Sequence, residues 1–545
     1  MTPDVPILIV GGGSVGLSLA GELGWRGVPC LLVERSDHLN PHPRANAVAN
    51  RTMEYYRRWG IDETIANTGI PSDMPGRYFW VSTLAGHKIH QIDLPPAAKI
   101  KENARGGYAS DEHSWSPYLK TITGQDEVEK ILLDHARAQP SVDLSFGVEL
   151  TGFEDKGDHV ITSLRNVITG EQREVTCRYL AACDGGRSPI RESFGRPMSG
   201  RAALARFVSI YFRSEGFLDA GKFGHGNIFF PLHRDHRGFI LNWDGKATFT
   251  YHLILPEDRD WTDVDPIATV CDVVKAPVDV EIYSVQPWNA HALTADDYRV
   301  SENIFLVGDA AHLFTPTGGF GMNTGVSDAI DLAWKLKARL DGWGGETLLA
   351  SYSAERQPVG VRNTRAAAGS FDELFACMQN GDELDAETAE GEALRADLHA
   401  SLKEQEKLIS SSGTLLGYRY EGSPIIQPDG SPEPEDHPRH YRPTARPGHR
   451  APHVWLADGT ALMDHFGKDF TLLVTDPAAL SAAEELKASF DERGVPVRLL
   501  QVNERRVRDT YETGLVLIRP DMMVAWRGND TPAHPTKLVD RVTGA

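Results

Sequence analysis

The chain opens on a short apolar run, Ile7–Val10, broken at once by Gly11-Gly12-Gly13. An apolar-rich stretch from about Val15 to Arg26 follows, then a second run, Pro29–Glu34. The runs have the length of buried strands and the stretch between them that of a helix, so the pattern predicts strand, turn, helix, strand. Helices are predicted again over Thr52–Trp59 and over Asp126–Ala138, where Val128, Ile131, Leu132 and Ala136 fall on one face. From about Ala205 to Leu255 the pattern changes. Phe207–Phe212, Asn227–Leu232, Gly238–Trp243 and Ala247–Leu253 read as successive strands, an antiparallel sheet inserted between βα segments. Helical spacing returns after Thr324 and continues past Glu355.

The stretch from Gly422 to His453 is rich in Pro, Gly and charge, which predicts a linker or an irregular wrap. Beyond it, Phe470–Val474 and Val497–Val502 predict strands around a helix over Ala478–Arg493, stopped by Gly494 and Pro496. Leu515–Ile518 and Met523–Trp526 predict a hairpin. Apolar residues such as Phe470, Leu472, Val474 and Trp526 suffice for a core of its own, and the Pro-rich crossing could carry this unit away from the rest. The fold class expected is α/β. Residues 1–75, 105–190 and 290–385 form a discontinuous Rossmann-like domain, and 76–104 with 191–289 a sheet domain. Residues 386–445 form a helical and linker segment, and 446–545 a third α/β domain.

Length and charge narrow the function. A chain of 545 residues exceeds one ordinary core. A net charge of -20 without a sustained Lys/Arg run argues against nucleic acid as a partner. Five cysteines with no C-x-x-C pair read as free thiols in a reducing cytoplasm. No apolar stretch reaches membrane-spanning length and no basic region precedes Ile7, so a cytoplasmic protein without membrane contact is expected. The spacing of His233 and His236 does not match a zinc site, and no metal is expected. The acidic stretch Asp382–Glu406 reads as a solvated helical face.

Three motifs carry chemistry. Gly11-Gly12-Gly13-Ser14-Val15-Gly16 lies between strand and helix, and the next strand ends in Glu34-Arg35. The glycines permit a tight turn, backbone approach to a pyrophosphate and close helix packing, while Glu34 can accept bonds from ribose hydroxyls. The second motif, Tyr179–Arg191, is a strand running into a Gly-rich turn that contains Asp184. In the third, a strand from Asn303 ends in Gly308-Asp309 and continues through Pro316-Thr317-Gly318-Gly319-Phe320-Gly321-Met322-Asn323 into a helix. Asp309 can bind a polyol, and the helix points its positive end at a flat ring.

These motifs, in this order, resemble the class A flavoprotein monooxygenases, the p-hydroxybenzoate hydroxylase and phenol hydroxylase group. The resemblance implies non-covalent FAD held by Gly11, Gly13, Ser14, Val15, Gly16, Glu34 and Arg35. It adds Arg44 near the phosphates and Gln125 as a further contact. Asp184 would serve FAD and the nicotinamide. Gly308, Asp309, Pro316, Gly319, Gly321, Met322 and Asn323 would surround the ribityl chain and the ring. The C-terminal unit resembles the thioredoxin-like domain of the phenol hydroxylase and polyketide hydroxylase branch. With no cysteine after Cys377 it cannot exchange disulfides.

The reaction implied is hydroxylation of a small phenolic or aromatic substrate, with O2 as oxidant and NADPH or NADH as reductant, through a C4a-hydroperoxyflavin. A homodimer is expected. Phenol hydroxylases place an Asp before the Arg-Thr-x-Glu helix. Here Asn46 stands before Arg51-Thr52-Met53-Glu54, and Asn cannot act as a base. Tyr211, His225 and His252 on the inserted sheet are the candidate proton carriers, and Pro316 the backbone near the oxygen site. Halogenases of related fold carry a W-x-W-x-I-P segment that is absent here, and the third domain argues against a prenyl-chain enzyme. A flavin-binding redox sensor or scaffold is the alternative outside enzymology.

Overall fold

The computed structural model describes residues 3–99, 114–118, 120–404 and 411–545. The expected domain boundary near residue 105, and the part of the acidic stretch at 405–406, lie outside them. Three sheets organise the chain. In the first, the parallel strands Val142–Phe146, Cys30–Glu34, Val5–Val10 and Gln172–Ala182 lie in that order. Gln172–Ala182 then serves two neighbours. Its first half pairs antiparallel with Val160–Asn166, and its last residues pair parallel with Ile304–Leu306. The ends of three parallel strands, at Val10, Ala182 and Leu306, are thereby brought side by side. Those are the points from which the three glycine-bearing motifs leave the sheet. Helices Ser14–Trp25 and Phe320–Leu340 pack together here, because Gly308 and Gly325 leave room for the Val15 side chain.

The second sheet has eight strands, in the order His312–Leu313, Glu281–Ala295, Met198–Arg213, Thr248–Leu255, Gly238–Asn242, Ile228–Pro231, Gly76–Val81 and Lys88–Leu94. It differs from the expected antiparallel sheet at one joint, where Ile228–Pro231 runs parallel to Gly76–Val81. That strand arrives from an earlier crossing of the chain, so no hairpin fixes its direction. Glu281–Ala295 was hidden by Pro287, which argues against a strand interior. In the structure its outer neighbour pairs only at Leu293 and Thr294. Pro287 therefore lies on an open edge, where no N–H is needed.

The third sheet follows the predicted C-terminal pattern. Val497–Gln501 pairs parallel with Phe470–Val474, and Leu515–Ile518 pairs antiparallel with both Phe470–Val474 and Val524–Gly528. Its core is shared with the body of the chain. Trp334, Ala338 and Leu348 of the preceding helices are part of its apolar core, packed with Phe470, Leu472 and Val474. The Pro-rich stretch before it is a wrap fastened to the body, with Arg362 on Asp436 at 2.6 Å and Tyr418, Tyr420 and Tyr441 buried. The acidic helix Ala389–Glu404 likewise has a packed side: Leu398 and Leu402 are buried in the cluster that contains Trp80 and Ile89.

A buried ionic cluster joins these parts. On the long helix, Asp331 is 2.7 Å from Lys335, which reaches Glu355 at 2.6 Å. Arg519, from the turn of the C-terminal hairpin, binds Glu355 at 2.6 Å, Asp331 at 3.0 Å and Asp521 at 2.7 Å. Nearby, Arg51 and Arg450 both pair with Glu54, and Arg51 donates to the Asp521 carbonyl oxygen at 2.7 Å. Burial pushes Glu355 up, but Arg519 and Lys335 outweigh it and hold it at about 2.

Arg519→Met should leave three buried carboxylates under-compensated and cost about 3–5 kcal/mol, read by urea unfolding. The folded pKa of Glu355 lies below its unfolded value. The stability it contributes is therefore present above the ordinary Glu range, about 4.3, and lost as pH falls toward 2. The acid limb of the stability curve should flatten in the variant. An unchanged limb and unfolding midpoint would mean that the cluster does not hold the C-terminal unit.

Candidate functional site

The cleft above the first sheet is built from backbone. Gly11 sits at φ +113°, and a Cβ there would run into the Cys183 carbonyl oxygen. One on Gly16 would strike the Gly11 carbonyl oxygen. Only glycine lets the turn, the helix and the second motif meet this closely. Gly13 precedes the helix without a side-chain cap of its own. Ser14 donates through both N–H and Oγ to Glu129, at 3.0 and 2.8 Å, and Gln125 donates to the same oxygen at 2.8 Å. The Gln125 side chain therefore positions the Glu129 carboxylate at the start of the helix. Glu34 accepts from the Gly12 and Ser36 N–H groups at 2.7 and 2.9 Å, which fixes its carboxylate at the end of its strand. Arg35 and Arg44 are exposed.

At the second motif, Asp184 keeps one carboxylate oxygen, Oδ1, buried with no hydrogen-bond partner among the described residues. Burial raises its pKa. At the third, the Asp309 side chain is solvent-accessible, yet the protein packed around it raises its pKa against the opposing charges of His312 and Arg44. His312 itself faces inward, 2.6 Å from Asp328, which Arg356 holds at 2.7 Å. That chain fixes the turn after Gly308 to the long helix.

Asn323 is fully used inside the protein. It donates to the Ala47 and Gly319 carbonyl oxygens at 3.0 and 2.7 Å, and accepts from Ala49 N–H and Thr52 Oγ1 at 2.8 and 2.7 Å. Its side chain staples the glycine turn to the Arg-Thr-x-Glu helix. Only backbone from Gly319, Gly321, Met322 and Asn323 is left to face a ligand at the positive end of Phe320–Leu340.

Beside this turn lies an apolar cavity with about 840 Å³ of empty space, partly open to solvent. The sheet face gives it Tyr78, Trp80, Phe207, Phe239 and Ile254. Helix Glu346–Ala376 adds Phe371 and Phe375, and Pro316–Gly319 closes one side. Asn46 and Lys120 also line it. Lys120 was not among the expected residues. It stands just before the two-residue strand Thr121–Ile122, and no spacing marks it.

Of the four catalytic candidates, Pro316 is on the cavity wall and the other three are not. His252 points to the same sheet face but is covered by Phe239, stacked at 4.4 Å, and is held by Ser209 Oγ at 2.6 Å. Burial drives its pKa down to about 3, so it is neutral and poorly basic. Tyr211 packs edge-on against His42 and Tyr283 at the far end of the sheet, and burial pushes it up to about 12. His225 lies against Gly245, its pKa lowered by burial. Residue type and strand position marked His252 as a candidate. They could not show that neighbouring aromatic rings seal it off.

The Gly11–Gly16 backbone turn, the unpartnered Asp184 oxygen and the solvent-facing Asp309 form donors and acceptors suited to a dinucleotide. Residues 4–367 match the family described as FAD binding domain, and residues 444–545 that described as aromatic-ring hydroxylase, C-terminal. A 4-methyl-5-nitrocatechol 5-monooxygenase from a Burkholderia species is 34% identical over 98% of this chain and 95% of its own. Aklavinone 12-hydroxylase DnrF of Streptomyces peucetius is 33% identical over 86% of this chain and 91% of its own. Among solved structures, the rebeccamycin biosynthetic enzyme RebC with reduced flavin has a TM-score of 0.88 and 32% identity, covering 99% of both chains. A ternary complex of aklavinone-11 hydroxylase with FAD and aklavinone has a TM-score of 0.82 and 26% identity, covering 100% of both.

Asp309→Ala should weaken retention of FAD by roughly 1.5–3 kcal/mol, the worth of a charge-assisted hydrogen bond. Flavin occupancy after gel filtration, and a fluorescence titration of the apoprotein, measure it. Undiminished affinity would remove Asp309 from the cofactor site.

Proposed function

The chain belongs to the FAD-binding aromatic-ring hydroxylase family, whose members are FAD-dependent monooxygenases, and on that premise we propose that it hydroxylates a phenolic ring seated in the apolar cavity. The single observation that carries the choice of substrate is the placement of that cavity. It is walled by aromatic rings and closed on one side by the Pro316–Gly319 turn of the cofactor motif. FAD held by the three motifs would supply the hydride-accepting and O2-activating chemistry, with NAD(P)H as reductant. The residues around it bind, orient and keep water away.

In this reading Gly11, Gly13, Ser14, Val15 and Gly16 present backbone and the helix dipole to the pyrophosphate, with Glu34 on the adenosine ribose and Arg44 near the phosphates. Asp309 holds the polyol. The N–H groups of Met322 and Asn323, at the positive end of the long helix, stabilise negative charge on the reduced ring. Tyr78, Trp80, Phe207 and Phe371 exclude water from the reacting ring. Asn46 cannot take a proton from the substrate, and Tyr211, His225 and His252 stand away from the cavity, so none of the four is assigned as base. The C-terminal unit supports the fold and supplies no catalytic group. A homodimer and a cytoplasmic setting complete the proposal. Five free cysteines support the latter, and among the described residues no helix is long and apolar enough to cross a membrane.

Purified protein should be yellow, release FAD on acid precipitation, and oxidise NADPH or NADH faster when a phenol is added. Mass analysis should find one added oxygen atom in the product. Phenol-stimulated oxidation that yields only hydrogen peroxide across a broad phenol panel would sink the hydroxylase assignment for phenols.

A further inference from the structure

Among the described residues, the cavity lining holds a single side chain that is charged at neutral pH, Lys120. Among the described lining residues there is no carboxylate, and the one other titratable group, Tyr78 on strand Gly76–Val81, is pushed up to about 12 by burial. Lys120 directs Nζ to the Gly318 carbonyl oxygen at 3.2 Å, and this is its only hydrogen bond among the described residues. No ion pair accompanies it among them. The strand Ala47–Val48, the Pro316–Gly319 turn and helix Glu346–Ala376 bring no titratable group to the lining. An ammonium carries three donors. Here one is used, by a half-buried side chain facing a lining made mostly of aromatic and aliphatic carbon, and a cation so placed gains when an anion joins it.

We propose that Lys120 is the substrate-anchoring residue of this cavity, binding the ionised oxygen of the phenol as an ammonium–phenolate pair beside the Gly318–Gly319 turn. The proposal rests on the phenol hydroxylase reading above and supplies what the Asn46 position lacks. The cavity needs no carboxylate to draw the proton away if a cation makes the phenolate the form that binds, the proton going to water. Burial lowers Lys120 to about 8, so the ammonium is still the main form at neutral pH. An ionised phenol is also the form whose ring carbon is nucleophilic toward an electrophilic oxygen. Lys120 therefore selects the reactive state and fixes which edge of the ring faces the glycine turn.

The test uses the FAD-loaded full chain and two probes, 4-nitrophenol and the non-ionisable 4-nitroanisole. Absorbance reports the ionisation of bound 4-nitrophenol. In the native protein its midpoint should fall by about one unit relative to free probe, and Lys120→Met should abolish that fall and weaken 4-nitrophenol binding about tenfold, since one unit is a tenfold preference. Binding of 4-nitroanisole should stay within about twofold, the size of a minor packing change. Lys120→Arg should restore the shift. Should Lys120→Met fail to fold, Lys120→Gln removes the charge while keeping a donor for Gly318 and carries the same comparison. An unchanged midpoint in the uncharged variant, or equal weakening of both probes, overturns the proposal. If the native protein binds neither probe, the phenol reading itself falls, a separate outcome from a failure at Lys120.

Discussion

The positive end of the long helix Phe320–Leu340 has to stay where the cofactor motif needs it, and buried charge keeps it there. Asp328 and Asp331 lie on this helix with no exposed side-chain surface. Against burial, Arg356 and His312 hold the Asp328 carboxyl below its ordinary range, whereas burial and the neighbouring Glu355 raise Asp331 to about 7 against the pull of Lys335 and Arg519. Those cations come from three places: Lys335 on the helix itself, Arg356 on the next helix, and Arg519 on the C-terminal hairpin. Each is directional, so together they set rotation and depth in a way that apolar packing alone would leave looser. Trp334 and Ala338, inside the C-terminal core, fix the other end of the same rod.

This arrangement explains what the C-terminal unit contributes although it supplies no residue to the described cavity lining. Its turn at Arg519–Asp521 presents two charges to the cluster and a carbonyl oxygen to Arg51. Arg51 and Arg450 share Glu54, on the helix that Asn323 staples through Thr52. The glycine turn, the Arg-Thr-x-Glu helix and the C-terminal hairpin thus meet in one polar core. Removal of any one would strand charges belonging to the others.

Much of this was legible in the chain. The first βαβ unit, the three motifs and the C-terminal strand pattern follow from apolar run length and punctuation by glycine, because those signals are local. Strand Phe470–Val474 was read without error for that reason. The long strand Glu281–Ala295 was missed because its proline is tolerated only by virtue of a neighbour that stops short. The parallel joint between Ile228–Pro231 and Gly76–Val81 depends on segments far apart in sequence. At the site, residue type alone promoted His252 and Tyr211. It passed over Lys120, whose significance lies in the absence of carboxylates around it, and a list of residues along the chain cannot display that. The tie between the C-terminal unit and the body runs through Arg519, whose partners Asp331 and Glu355 lie far away in sequence and so could not be read from its neighbours.

Helix Glu346–Ala376 does two jobs at its two ends. Glu355 and Arg356 belong to the ionic core, while Phe371 and Phe375 roof the cavity. Sixteen residues from Glu355 to Phe371 span roughly 24 Å of helix at 1.5 Å per residue. The roof can thus be re-carved over evolutionary time, one aromatic exchanged for another, at a place remote from the charges that secure the fold. Relatives that share this scaffold could diverge in the ring systems they admit while inheriting the same keel.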